Sequence, residues 1–215
     1  STVFEDELYV GGRFGAVGNQ ITRFIARWDG KAWQDVGGGV TTSVTSMVNS
    51  DEGLFVGGGF TFAGESLARR VALWDGSTWS ALGDGLNNRV EAMAWDQGVL
   101  YVGGRFNQAS GVAANKIASW DGANWAALDS GMDSNVLALA AQDGVIYAGG
   151  EFSQAGSQTA NFIAAWNGIE WSALGDGLNG PVYAISAFGG DLIVGGDFSS
   201  AGGVPVSNIA RWDGT

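Results

Sequence analysis

One phrase recurs five times at a fixed interval, and nothing else in the chain restricts its folding as strongly. Leu-Tyr-Val-Gly-Gly-Arg-Phe at 8–14 is followed by Ile-Ala-Arg-Trp-Asp-Gly at 25–30. The glycine pair returns at Gly57/Gly58, Gly103/Gly104, Gly149/Gly150 and Gly195/Gly196, and the tryptophan at Trp74, Trp120, Trp166 and Trp212, always in steps of 46 residues. No insertion or deletion breaks the register. A period of this length marks a propeller blade or a solenoid coil, in which each unit buries its apolar face against the next.

Strand signals within one period decide between the two. In the second repeat, 44–49, 54–60, 70–74 and 79–82 read as strands A, B, C and D. Asp51-Glu52-Gly53 marks a turn between A and B, and 61–69 is a longer polar loop between B and C. Asp75-Gly76 reads as a two-residue type I′ hairpin between C and D, because that turn needs positive φ at both central residues. Four short antiparallel strands per period make a blade. The expected fold is therefore all-β: a closed five-bladed β-propeller in one domain, 1–215, with repeats near 1–43, 44–89, 90–135, 136–181 and 182–215. Both prolines fall in connectors, Pro181 before a strand A and Pro205 in a B–C loop, where no ladder amide is needed.

The repeated residues have packing reasons. Ser46, Ala92, Ala138 and Ala184 keep strand A small where innermost strands converge. The double glycine in strand B admits a neighbouring backbone or a large ring, and rings are plentiful on strands C and D. All ten tryptophans except Trp95 belong to those two series.

Composition narrows the function. A net charge of −12, with only 10 Lys and Arg, argues against nucleic acid, whose phosphates need clustered cations. With no His and no Cys, the usual zinc ligand sets, thiol catalysis and the Ser-His-Asp arrangement are unavailable. No apolar run is long enough to span a bilayer, so no membrane insertion is expected. The chain begins at Ser1 without a signal-like segment, which reads as an upstream segment removed or an excerpt.

Tyr-Val-Gly-Gly-x-Phe, Ala-Gly, Ile-Ala-x-Trp-Asp-Gly-x-x-Trp, Leu-Gly-x-Gly and Val-x-Ala together resemble a repeat of secreted bacterial and fungal proteins. Those proteins include the β-propeller region of the fungal cortical cell-polarity markers, and the pattern is loosely kelch-like. The resemblance covers essentially the whole chain. It implies an extracellular or cell-surface interaction module and transfers no catalytic residue or cofactor. Asn167 replaces the Asp of Trp-Asp-Gly, and Asp129-Ser130 replaces Gly-Asp; both still suit turns.

With strand A running from top to bottom, the B–C and D–A connectors lie on the top face. The D–A loops there carry Asp84, Asn87, Asn88 and Arg89, then Asp133, Ser134 and Asn135, then Asp176, Asn179 and Gly180. They read either as a ring of ligand-binding groups for a protein or glycan, or as turn chemistry, since Asp and Asn cap turns through their own side chains. The Asp-Gly turns at Asp29, Asp75, Asp121 and Asp213 lack the alternating acidic spacing of a calcium loop, so no metal is expected. Glu91 is the one carboxylate near the start of a strand A, and a glycosidase needs a pair, so no catalytic residue is assigned. Trp95 departs from its counterparts Asn49, Ala141 and Ala187; it is either extra packing or a candidate interface anchor.

The expectation is a non-enzymatic, secreted or surface-displayed module without a cofactor; the alternative is a lectin-like propeller. The final repeat stops after Asp213-Gly214, so its blade is expected to have three strands, with 209–212 as an open edge; either the chain is an excerpt whose neighbouring sequence supplies the strand, the favoured reading, or a partner or neighbouring subunit donates it.

Overall fold

The computed structural model describes residues 1–214; Thr215, the end of the last repeat, lies outside the described residues. The fold is all-β, with no helix among the described residues. Four antiparallel sheets have strand order A-B-C-D. They are Thr2–Phe4, Glu7–Gly11, Ile25–Trp28 and Trp33–Gln34; Val44–Asn49, Leu54–Gly58, Val71–Trp74 and Trp79–Ala81; Val90–Asp96, Val99–Gly104, Ile117–Trp120 and Trp125–Ala127; and Val136–Gln142, Val145–Gly150, Ile163–Trp166 and Trp171–Ala173. The fifth sheet has three strands, Val182–Phe188, Asp191–Gly196 and Ile209–Trp212, as the repeat count predicts. No strand lies on the outer side of Ile209–Trp212 among the described residues.

Successive blades stack through their inner strands, and the glycine pair explains how. A Cβ on Gly57 would come within 2.6 Å of Val90 Cγ1 and 3.0 Å of Met93 Sδ, both on strand A of the next blade. Gly11, Gly103 and Gly149 meet Val44, Val136 and Val182 in the same way. The second glycine has a different neighbour. Each strand A after the first is bulged near its start, between Val44 and Ser46 and at the three equivalent places. The bulge turns the carbonyl of the residue before strand A against Gly58, Gly104, Gly150 or Gly196, where a Cβ would collide with it. That carbonyl then accepts the following amide, as in Arg105 N to Arg89 O at 2.9 Å. The next blade's valine and the bulged backbone before strand A, not a tryptophan ring, are what the glycines admit.

Ring closure, expected from five copies, does not occur. Gly195 is the counterpart of the four glycines that receive a valine. Its Cβ would find only Ala184 at 3.9 Å and the Asn208 carbonyl at 4.0 Å, both in its own blade. The outward face of the fifth blade is accordingly open: Tyr183, Phe188 and Ile209 are exposed there, and Ile209 is 61% accessible.

Turn types differ from the expected assignment. The C–D connections are four-residue loops, with Trp74 paired to Trp79, and only the glycine has positive φ, +94° at Gly76. The aspartate acts as a cap: Asp75 Oδ1 accepts the amides of Ser77 and Thr78 at 2.8 and 2.7 Å. Asn167 does the same for Ile169 and Glu170, both at 2.9 Å. Four of the A–B turns have two consecutive positive φ values, at Glu5/Asp6, Gln97/Gly98, Asp143/Gly144 and Gly189/Gly190. The B–C segment is not an irregular loop either. It folds into a small hairpin in every repeat: Ala16–Val17 with Gln20–Ile21, Phe62–Ala63 with Ser66–Leu67, and likewise to Ser200–Ala201 with Val204–Pro205. Pro205 sits within that last hairpin, at its two-stranded edge.

Candidate functional site: the loop face

The B–C hairpins and the D–A connectors share one face. Each connector bonds to both blades it joins. The Leu86 amide donates to the Arg69 carbonyl of its own blade at 3.1 Å, and Leu86 bridges to Ala109 in the hairpin of the next. Val40, Met132 and Leu178 bridge to Ala63, Ala155 and Ala201 in the same way. On the opposite face, Gly76 of one C–D turn lies beside Glu5 of the preceding blade's A–B turn. The assignment of turns to faces is as the sequence predicts.

Three of the candidate polar side chains form one repeated latch. Asn87 Oδ1 accepts the amides of Asn107 and Gln108 at 3.1 and 3.2 Å, and its amide group donates to Asn107 Oδ1 at 2.5 Å. Asp133 Oδ1 accepts the amides of Ser153 and Gln154 at 2.9 and 3.0 Å, while Oδ2 accepts the Ser153 hydroxyl at 2.7 Å. Asn179 Oδ1 accepts the amides of Ser199 and Ser200, both at 2.9 Å. In the first connector Thr41 Oγ1 takes this place, accepting from Thr61 and Phe62 at 3.0 and 3.2 Å. These residues stand 46 apart, and each holds the start of the next blade's hairpin. Partial burial pushes the Asp133 carboxyl up, but the bonds from Ser153 and Gln154 outweigh it and hold the group below the usual aspartate value.

The remaining candidates are scattered. Asn88 Oδ1 accepts the Arg89 amide at 2.8 Å. Arg89 and Arg105 flank Glu91, with Nε atoms 3.2 and 2.7 Å from its two oxygens. Glu91 is thus the middle of a three-membered ion pair, and the bond to it raises Arg105 further. Asn135 donates to Glu151 at 2.7 Å. Asp176 contributes its backbone carbonyl to Asn161 at 3.1 Å, and its side chain is exposed. Ser134 is half-buried, and Gly180 is buried against the Asp197 carbonyl. Asp84, also exposed, borders a cleft of about 170 Å³ with Arg69, Asn87, Gln108 and Ser110. Trp95 packs inward, its ring 5.4 Å from that of the fully buried Phe55 in the preceding blade.

Sequence reasoning missed a second tie between blades. Trp79, Trp125 and Trp171 each donate their indole N–H to a carbonyl 43 residues earlier, on Val36, Leu82 and Leu128, at 3.0, 2.9 and 3.2 Å. The same 46-residue step separates these carbonyls, a signal visible only when strand D is set against the preceding connector.

The folded chain is a β-propeller of repeated antiparallel blades. A family described as "Domain of unknown function (DUF5122) beta-propeller" matches residues 141–164 and 190–212, in the fourth and fifth repeats. No curated protein sequence matches the chain. Among solved structures, the computationally designed Ika4 protein is similar at a TM-score of 0.52 and 17% identity, over 81% of this chain and 92% of that one. The designed Ika8 protein has a TM-score of 0.47 at 18% identity, over 89% of this chain and 65% of that one. The WD40 β-propeller domain of Doa1 has a TM-score of 0.47 at 15% identity, over 82% and 56%.

Proposed function

We propose that the chain is a non-enzymatic interaction or structural module displayed outside the cell or at its surface. This is the setting of the secreted repeats it resembles, those of the fungal cortical markers among them. The latch carries this reading. Of the polar groups that would form a repeated sugar site, Asn87, Asp133 and Asn179 bond the hairpin of the following blade instead. What remains on the loop face differs from blade to blade, which suits one protein partner better than several equivalent glycans. Glu91 is held by two guanidinium groups, those of Arg89 and Arg105, which suits a structural ion pair better than the acid of a glycosidase pair. Protease shaving of intact cells that make the native protein tests the location. Loss of the immunoblot signal before lysis is expected, and a signal protected until lysis would refute surface display.

The lectin reading retains one observation, the polar cleft between Arg69, Asp84 and Gln108. A glycan array decides it: binding removed by Asp84→Ala would establish a sugar site, and a blank array would dismiss it.

A further inference from the structure

Charge is unevenly spread over the loop face. Seven of the ten lysines and arginines lie there, all in the first three blades and their connectors: Arg13 and Arg23, then Arg69 and Arg70, then Arg89, Arg105 and Lys116. Four carboxylates share that part of the face, Asp35, Glu65, Asp84 and Glu91. No Lys or Arg occurs from 117 to 210, so beyond Lys116 the charged groups of this face are all carboxylates, Asp133, Glu151 and Asp176 among them.

One repeat position shows that part of the positive charge has no structural duty. Asn115 and Asn161 close the hairpins of the third and fourth blades, and each donates its side-chain amide to a connector carbonyl, that of Ser130 at 2.9 Å and that of Asp176 at 3.1 Å. In the first two blades the position holds Arg23 and Arg69. Both are exposed, and neither guanidinium group has a hydrogen bond or ion pair among the described residues.

Apolar side chains depart from the repeat at the same place. Phe62 and Leu67 pair across the hairpin of the second blade and are both exposed, while the adjacent Ala63 is buried. Their counterparts in the fourth blade are Gln154 and Thr159. This hairpin lies between two complete connectors. In the first, Val40 donates its amide to the Arg23 carbonyl at 3.0 Å, and Thr41 donates the next amide to the Phe62 carbonyl at 3.1 Å. In the second, Leu86 donates to the Arg69 carbonyl. Arg23 and Arg69 therefore flank Phe62 and Leu67.

We infer that the hairpin of the second blade and these two arginines form a docking site for an acidic, apolar segment of the protein partner; this deepens the loop-face reading above and rests on it. Carboxylates of the segment accept paired bonds from Arg23 and Arg69, and large apolar side chains between them cover Phe62 and Leu67. Neighbouring sheets stack about 10 Å apart, the length of about three extended residues, which sets the spacing of the two carboxylates. An acidic polysaccharide offers the charge but no apolar side chain for Phe62 and Leu67. The net charge of −12 repels an acidic segment from the rest of the surface and so confines it to this part of the loop face.

A phage-displayed library of random dodecapeptides, selected on the purified protein, tests this. Enriched sequences are expected to carry two acidic residues about three positions apart with a large apolar residue between them. Synthetic copies should bind the Arg23→Asn/Arg69→Asn variant at least about tenfold more weakly. That variant takes the residue that the third and fourth blades already use, so its melting temperature should not fall. Phe62→Gln/Leu67→Thr, copied from the fourth blade, should weaken binding too. A blank selection, enrichment of sequences without acidic residues, or equal binding to either variant overturns the inference. Non-acidic peptides that Phe62→Gln/Leu67→Thr releases would refute the acidic occupant alone and leave the loop face a protein-docking surface. Heparin fragments that bind through Arg23 and Arg69 after a blank selection would refute the protein partner itself, in favour of an acidic glycan.

Discussion

The indole N–H of Trp125 donates to the carbonyl of Leu82 at 2.9 Å, linking strand D of one blade to the connector that leaves the blade before it. Trp125 is 6% accessible, so water cannot replace the bond. Trp125→Phe removes the donor and part of the ring together, and is expected to cost about 2–3 kcal/mol. Urea unfolding should show a lower midpoint at an unchanged slope. Trp33 occupies the same position in the first blade, is half-buried and has no such acceptor among the described residues. Trp33→Phe should cost less than about 1 kcal/mol; equal losses would mean that the bond contributes little.

Gly103 and Gly195 stand two periods apart at one repeat position but face different surroundings. A Cβ on Gly103 would run into Val136, whereas one on Gly195 has 3.9 Å of clearance. Gly103→Ala is expected to destabilise by about 1–3 kcal/mol through overpacking, and Gly195→Ala to change stability by less than about 0.5 kcal/mol. Thermal melts of the two variants read the comparison directly. A large loss at Gly195 would show that the fifth blade is covered in solution.

The latch predicts a response to acid. The folded Asp133 carboxyl lies below its unfolded value of about 3.9. Its contribution is therefore complete above pH 4 or so and is lost as pH falls through the folded pKa. Asp133→Asn should keep the two amide bonds, since Asn87 and Asn179 make the same ones, and should reduce the loss of stability below pH 4. With no histidine in the chain, stability should be nearly level from pH 6 to 8. Melting temperatures of both proteins across pH 2–8 provide the check; parallel curves for the two would remove Asp133 from the account.

Phe24, Arg70, Lys116, Phe162 and Asn208 all have positive φ, from 64° to 73°, at one repeat position. Each donates its amide to a phenylalanine carbonyl, as Lys116 does to Phe106 at 2.9 Å. Among side chains, asparagine adopts this conformation at least cost, and Asn208 already does. Lys116→Asn should raise the melting temperature, by roughly 0.5–1 kcal/mol of stability less the exposed Lys116-to-Arg105 bond. A lowered melting temperature would show that the bond outweighs the backbone strain.

Periodicity carried the strand count, the blade number and the three-stranded final sheet, because each of these follows from repeated patterning within 46 residues. Closure did not follow from counting copies. It depends on whether a valine of another strand A reaches the glycine of the fifth blade, and among the described residues none meets Gly195. Asp-Gly misled on turn type because the carboxylate caps a four-residue loop rather than entering positive φ. The loop-face candidates were visible as polar residues, but a polar residue in a connector looks the same whether it meets a ligand or a neighbouring amide. Shared register alone does not separate them, since Asp84 and Asp176 also stand two periods apart; the bonds from Asn87, Asp133 and Asn179 to the next blade's hairpin do.

The indole bonds have one direction: each reaches back 43 residues, to a carbonyl in the preceding repeat. The valines likewise enter glycines of the blade before them. A chain emerging from the ribosome therefore finds the partners for each new blade already made, and no early strand waits for a distant one. Arrested nascent chains of increasing length should gain protease resistance in steps of one repeat, and a single late step at full length would contradict this order of assembly.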